Sequence, residues 1–204
     1  MAKSTSRKAR RFATVYDLEF TAWEGSRERR WSLPGERTEI VQIGAVKVDA
    51  TSLQIVDIFD MLVCPRLNPI LSDYLVALTG ISNQDVAAYG VDFIVAYRAF
   101  LEFVGDDVMW SFGRDDLIFA ENIRLYGWKS ALPVPTHRSV LPWFAEHGID
   151  LSGKHACDVA EAAGAVFEGR RHNALADARG IAVGMFAGIA RGFANPFLAE
   201  PEKT

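Results

Sequence analysis

Two carboxylates, Asp17 and Glu19, stand two residues apart just beyond the apolar, β-favouring run 12–16. Side chains at that spacing on a strand share a face. The pair would therefore sit side by side at the C-terminal end of a buried strand, where open α/β sheets bind ligands. Neighbouring anions repel, and burial makes this worse. A hard divalent cation relieves the conflict, since Mg²⁺ takes oxygen ligands and keeps waters for a substrate. A solvated Asp-x-Glu at a strand end would read the same way, so the motif alone decides little. Asp115 and Asp116 follow a second apolar run, 108–112, in the turn Gly113-Arg114-Asp115-Asp116. They open a helical stretch, where either could serve only as a cap. His172 and Asp177 complete the set. On one continuous helix their five-residue separation would turn them about 140° apart. They converge only if His172 lies in the loop before the helix, and Glu168-Gly169-Arg170-Arg171 suits such a loop.

The elements that must position these residues show in the periodicity. The run 12–16 reads as a strand buried on both faces. Two further strand-like runs, 39–48 and 53–64, flank Asp49-Ala50-Thr51 and suggest a long antiparallel hairpin. Phe93, Ile94, Tyr97, Phe100, Leu101 and Val104 then recur at helical spacing, giving an amphipathic helix over about 91–104. A short strand over 108–112, a helix over 116–126, a strand near His137 and a helix ending near His147-Gly148 follow. The last long helix carries Ala178, Ile181, Ala182, Met185, Phe186 and Ile189 on one face, with Asn173 as its N-cap. That order predicts an α/β fold, a mixed five-stranded sheet flanked by helices. We place one domain at 12–192, between a basic, disordered tail over 1–11 and a polar tail over 193–204. The mixed charges and glycines of 24–37 suit a flexible surface loop.

Composition narrows the partners. Half of the 204 residues are hydrophobic, enough for a sizeable core. No apolar run approaches the length needed to cross a bilayer, and the basic N-terminus lacks the apolar stretch of a secretory signal. Cys64 and Cys157 have no CxxC spacing and read as free thiols of a cytoplasmic protein. The net charge of −4 hides an asymmetry: five of the 22 basic residues fall in the first eleven positions, leaving 17 against 26 acidic ones, or −9. Sequence-independent nucleic-acid binding rests on Lys/Arg contacts to phosphate, so such a body needs metal ions and a local groove to hold a nucleic acid.

Taken together and in this order, the motifs resemble the DEDDh family of 3′–5′ exonucleases, which has the ribonuclease H-like fold. Asp17-Leu18-Glu19 matches its first motif, Asp116 the aspartate after the central strand, and His172 with Asp177 its His-x4-Asp motif. The segments Asp17-Leu18-Glu19-Phe20-Thr21-Ala22-Trp23-Glu24, Glu39-Ile40-Val41-Gln42-Ile43-Gly44-Ala45-Val46, Leu71-Ser72-Asp73-Tyr74, Leu78-Thr79-Gly80-Ile81 and Phe167-Glu168-Gly169-Arg170 look like the Eri-type and KapD-type exoribonuclease group. One departure stands out: Asp115 occupies a position where that group usually carries an aromatic residue before the catalytic aspartate. The resemblance implies two divalent ions, Mg²⁺ or Mn²⁺, held by Asp17, Glu19, Asp116 and Asp177, with His172 as general base. It implies single-stranded nucleic acid, RNA favoured over DNA, shortened from the 3′ end to nucleoside 5′-monophosphates. The segment after Glu19 and the Leu78-Thr79-Gly80 turn are candidates to recognise the end, Phe20 and Leu78 wedging against the terminal base and backbone groups near Phe20 and Thr21 meeting the sugar, with core packing an equal alternative for each. Trp23 and Trp110 are expected to be packing residues, and His137, His147 and His155 structural or exposed.

Overall fold

The computed structural model describes residues 11–128 and 132–199. The expected 1–11 tail, apart from Arg11, and the last five residues lie outside them. A six-stranded sheet runs β4-β3-β2-β1-β5-β6, formed by β1 (Phe12–Phe20), β2 (Ile40–Asp49), β3 (Gln54–Cys64), β4 (Val91–Asp92), β5 (Val108–Ser111) and β6 (His137–Ser139). β1 to β3 are antiparallel neighbours, and β5 lies parallel to β1 on its other side. The expected five strands thus become six. β4 has only two residues, too few for any periodicity to reveal a strand.

Helices cover both faces. They are α1 (Asp73–Thr79), α2 (Asn83–Tyr89), α3 (Phe93–Val104), α4 (Asp115–Leu125), α5 (Leu141–Glu146), α6 (Val159–Ala162) and α7 (Ala174–Ala190). Alternation along β1 divides the core. Ala13 and Val15 pack with α5, α6 and α7, while Tyr16 and Leu18 pack with the aromatic face of α3 and α4. A smaller cluster of Leu71, Leu75, Ile81 and Val86 seats α1 and α2 against Val41. Ser72 caps α1, and a reciprocal Ser82–Asp85 capping box starts α2. Sequence periodicity left these two seven-residue helices unassigned, because about two turns expose too few repeats.

The end of the chain and one loop make contacts that sequence patterning did not reveal. Residues 193–199 are no free tail: Phe197 is buried against Trp110, Asn195 donates to the Ala50 carbonyl, and the Trp143 indole donates to Ala194 O. Loop 24–37 makes hydrogen bonds within itself and to Thr21, just past β1. Arg29 grips Glu36 with Nε 3.0 Å from Oε1, the Trp31 amide donates to Ser26 O, and the Trp31 indole donates to Thr21 O at 2.9 Å.

Candidate active site

The face of β1 that buries Ala13 and Val15 turns acidic at its C-terminal end, presenting Asp17 and Glu19 beneath the start of α7. Glycine lets that helix come so close. Asp17 pairs across the ladder with Gly44, and a Cβ there would lie 2.1 Å from the Leu175 amide nitrogen. Gln42, opposite Glu19, accepts a hydrogen bond from the Ala174 amide at 3.0 Å. The Asn173 side chain caps α7 as expected. His172 stands just outside the helix with φ 57°, a left-handed conformation uncommon for a residue with a Cβ. This break in the helix brings ligand atoms of Glu19, His172 and Asp177 within 4.8 Å of one another.

Asp17, Glu19 and Asp177 are buried. Burial first, then repulsion by Asp177 and Asp115, pushes Glu19 up to about 8. Burial raises Asp177 to about 7 against the opposing pull of the His172 amide and Arg171. Asp17 is raised well above the usual range by burial and by Asp115, Glu19 and Asp177. Among the described residues, no donor reaches Asp177 Oδ1. Glu39 shows what a structural buried acid looks like in the same fold. Its carboxylate accepts from the amides of Arg66, Leu67 and Asn68, the Asn68 side chain and the Tyr126 hydroxyl. A buried charge without such partners is costly, so the β1–α7 acids call for cations. Convergent, donor-poor oxygens suit hard divalent ions, and the residues present fit that group.

The structure separates the two aspartates of α4. Asp115 faces the cavity beside Asp17 and Glu19, and its carboxyl is raised to about 6 by burial, offset by Ser111 and reinforced by Asp116. Asp116, the residue expected from sequence, turns away. It is gripped by Arg114 through two 2.8 Å hydrogen bonds and lies 3.3 Å from His137, and Arg114 first of all lowers its carboxyl below the usual range. Both aspartates stand over buried Phe119, four and three residues on, so which of them faces the cavity depends on the rotation of α4 about its axis. Asn122 locks that rotation by accepting from the Ile40 amide and donating to Thr38 O. Ser111, His137 and Asp116 also line up as a hydroxyl–imidazole–carboxylate chain. Ser111 is fully buried, so the chain holds the start of α4 and offers no nucleophile.

A cavity of about 660 Å³ opens over the acids, lined by Phe20, Trp31, Tyr74, Leu78, Phe112 and Leu141 among others. Phe20 and Leu78 therefore line it. Thr21 and Thr79 do not: both are buried, with Thr21 tying Arg37 O to the Glu39 amide and Thr79 bridging Leu75 O and the Ile81 amide. The Thr21 backbone is also spent, on Glu39 and Trp31. Trp110 is core, His147 donates from Nδ1 to Trp143 O, and His137 is half-buried behind Asp116, as packing residues would be. His155 is the exception, since it lines the cavity with its ring edge-on to His172, centroids 5.5 Å apart. Sequence gave no sign of it, because Arg27, His155 and His172 meet only through three separate loops. Burial and the neighbouring His155 hold the His172 imidazole below its ordinary 6.5.

A search of the curated proteins finds no match. Among solved structures, the nuclease domain of 3′hExo, a DEDDh family member bound to rAMP, is 21% identical over 97% of this chain and 99% of that one, with TM-score 0.76. A 3′-exonuclease recognising the 3′ end of a histone mRNA stem-loop is 22% identical over 90% of this chain and 84% of that one, TM-score 0.74. The Escherichia coli exonuclease I complex with single-stranded DNA is more distant: 15% identical over 89% of this chain and 41% of that one, TM-score 0.63. These likenesses establish the DEDDh exonuclease fold. The profile of the exonuclease family matches residues 14–183, five-sixths of the chain and all of the acidic constellation, and the protein belongs to that family.

Proposed function

We propose that the protein is a metal-dependent 3′–5′ exonuclease acting on single-stranded nucleic acid, with RNA preferred, and releasing nucleoside 5′-monophosphates. The observation that carries this reading is the convergence of Glu19, His172 and Asp177 within 4.8 Å, with Asp177 lining the cavity and one of its oxygens without a donor among the described residues. Asp17, Glu19, Asp115 and Asp177 would hold two divalent ions, Mg²⁺ or Mn²⁺, with Asp115 taking the role that sequence alone assigned to Asp116. Bound there, such ions supply charge neutralisation at the scissile phosphate and a more acidic water.

The remaining chemistry belongs to the chain. His172 accepts the proton of the attacking water; with its basicity lowered by burial it is neutral, and so able to accept, at pH 7. A positioned general base typically contributes about 10²–10⁴-fold. Phe20, Tyr74 and Leu78 offer apolar surface to the terminal base, and stacking on an aromatic ring contributes about 1–3 kcal/mol per base. This wall replaces the missing aromatic before the α4 aspartate. The RNA preference follows the resemblance to the Eri-type group, and the site must read the 2′-hydroxyl to express it.

The test uses 5′-labelled single-stranded RNA and DNA of matched sequence, with Mg²⁺, Mn²⁺ or chelator, and the Asp17→Ala variant. A chelator-sensitive ladder shortening from the 3′ end, absent in the variant, is expected. Faster decay of DNA would reverse the RNA preference. No ladder on either substrate with either ion would leave a binding module on the same fold.

A further inference from the structure

The acidic site has a charge problem that its own residues do not solve. Four carboxylates, Asp17, Glu19, Asp115 and Asp177, line the cavity, and two divalent ions would only cancel them. A polynucleotide brings further phosphates. Among the described residues, Arg27 is the one lysine or arginine lining this cavity.

Arg27 is set apart from the other arginines nearby by its partner. Arg171 is neutralised by Asp158 and Glu161, Arg114 by Asp116, and Arg29 by Glu36. Arg27 instead donates Nη1 to the His155 ring, 2.9 Å from Nδ1, and forms no ion pair among the described residues. An arginine can only donate, so the ring nitrogen it meets accepts through its lone pair and leaves the guanidinium charge uncompensated. The geometry is braced from both sides. Ser26, next in sequence, is buried, and its hydroxyl accepts the Trp23 amide. The His155 amide donates to Asp158, itself held by Arg171. One imidazole, His155, separates the guanidinium from His172.

We propose that Arg27, braced by His155, is a phosphate subsite for the polynucleotide backbone, through which the 24–37 loop helps hold the strand over the acidic cluster. This rests on the exonuclease reading for its substrate class. A guanidinium presents paired donors that match phosphate oxygens, and here it stands where the acidic body would otherwise repel the strand.

Wild type, Arg27→Gln and the control Arg30→Gln, which alters an exposed arginine of the same loop outside the cavity, are compared in two assays. In the first, binding of a fluorescein-labelled single-stranded 12-mer is followed by anisotropy against salt in Ca²⁺. Losing one phosphate contact should flatten the slope of log K against log salt by about 0.7. Affinity should fall about tenfold, as expected for one charge-assisted hydrogen bond. In the second, Mg²⁺-dependent hydrolysis should show KM raised to a similar extent with kcat little changed. Arg30→Gln should match the wild type in both. Unchanged slope and KM in Arg27→Gln would overturn the subsite, as would a fall in kcat alone, which would mean that Arg27 only positions His172. A wild type that binds with the expected slopes but hydrolyses nothing would sink the exonuclease reading and leave the subsite standing, and one that does not bind would overturn both.

Discussion

Without divalent ions the folded protein should lose stability as pH rises from 6.5 to 8, against the usual expectation that carboxylates favour neutral pH. Glu19 rises from 4.5 to about 8 and Asp177 from 3.8 to about 7 in the folded state. A carboxyl whose folded pKa lies above its unfolded one holds its proton more tightly when folded, so removing that proton costs the folded state. The stability is complete below the unfolded value and is lost as pH climbs through the folded one. Several other acids, Asp116 and Asp158 among them, are shifted downward instead; their contribution is complete by about pH 5 and constant above it. His137 and His172, both lowered, add stability only until pH reaches their ordinary 6.5. The interval from 6.5 to 8 therefore isolates the site. With one pKa unit corresponding to about 1.4 kcal/mol, Glu19 and Asp177 together should remove roughly 2 kcal/mol across it. Urea denaturation in chelator at three pH values between 6.5 and 8 measures this directly. Saturating Mg²⁺ or Mn²⁺ should abolish or reverse the slope, adding about 2.7 kcal/mol at a hundred times the dissociation constant. Glu19→Gln should be more stable than wild type at pH 8 in chelator and respond less to the ion. A flat or rising profile in chelator, or one that Glu19→Gln leaves intact, would refute the reasoning.

Asp115→Asn should cut kcat by about 10²-fold or more, since even outer partners of a metal site are worth about 10–100-fold. Asp116→Asn, which frees Arg114 and His137 at a partly exposed pair, should cost far less, and equal losses would return the role to Asp116. The acid limb of kcat/KM should fall below pH 6.5, where burial places His172, and should disappear in the residual activity of His172→Ala; a limb above 7 would show that another group is the base. Gly44→Ala forces a Cβ into the α7 backbone and should destabilise the fold by about 2–3 kcal/mol, as overpacking does, with kcat falling because Asp177 moves; urea denaturation and turnover together check it.

Strand and helix order was legible because β1, β2, β3, α3 and α7 each repeat an apolar period several times. The Asp-x-Glu pair needed only the two-residue alternation of β1 to be placed on one face. His172 and Asp177 were legible through their spacing once a break before α7 was assumed, and the positive φ of His172 is that break. The choice between Asp115 and Asp116 was not legible. It turns on a one-residue register in α4, and that register is locked by Asn122 bonding to Thr38 and Ile40 more than eighty residues away. Arg27 and His155 were hidden for the same reason: their significance is a long-range meeting of loops, which no local pattern records.

Buried acid alone is an ambiguous sign, and the fold contains its own control. Glu39 and Asp177 are both buried and both sit at the ends of elements around β2. Glu39 is answered by five donors from a loop, a side chain and a tyrosine, so its charge is already satisfied and its task is to hold residues 66–68 in place. Among the described residues Asp177 keeps one oxygen with no donor and stands beside other carboxylates, so the His172 amide and Arg171 answer its charge only in part. The same residue types at the same depth thus divide into architecture and chemistry according to who supplies the compensating charge. For the β1–α7 acids that supply must come from outside the chain, and an ion that neutralises them also leaves Arg27 as the protein's own charge for the substrate.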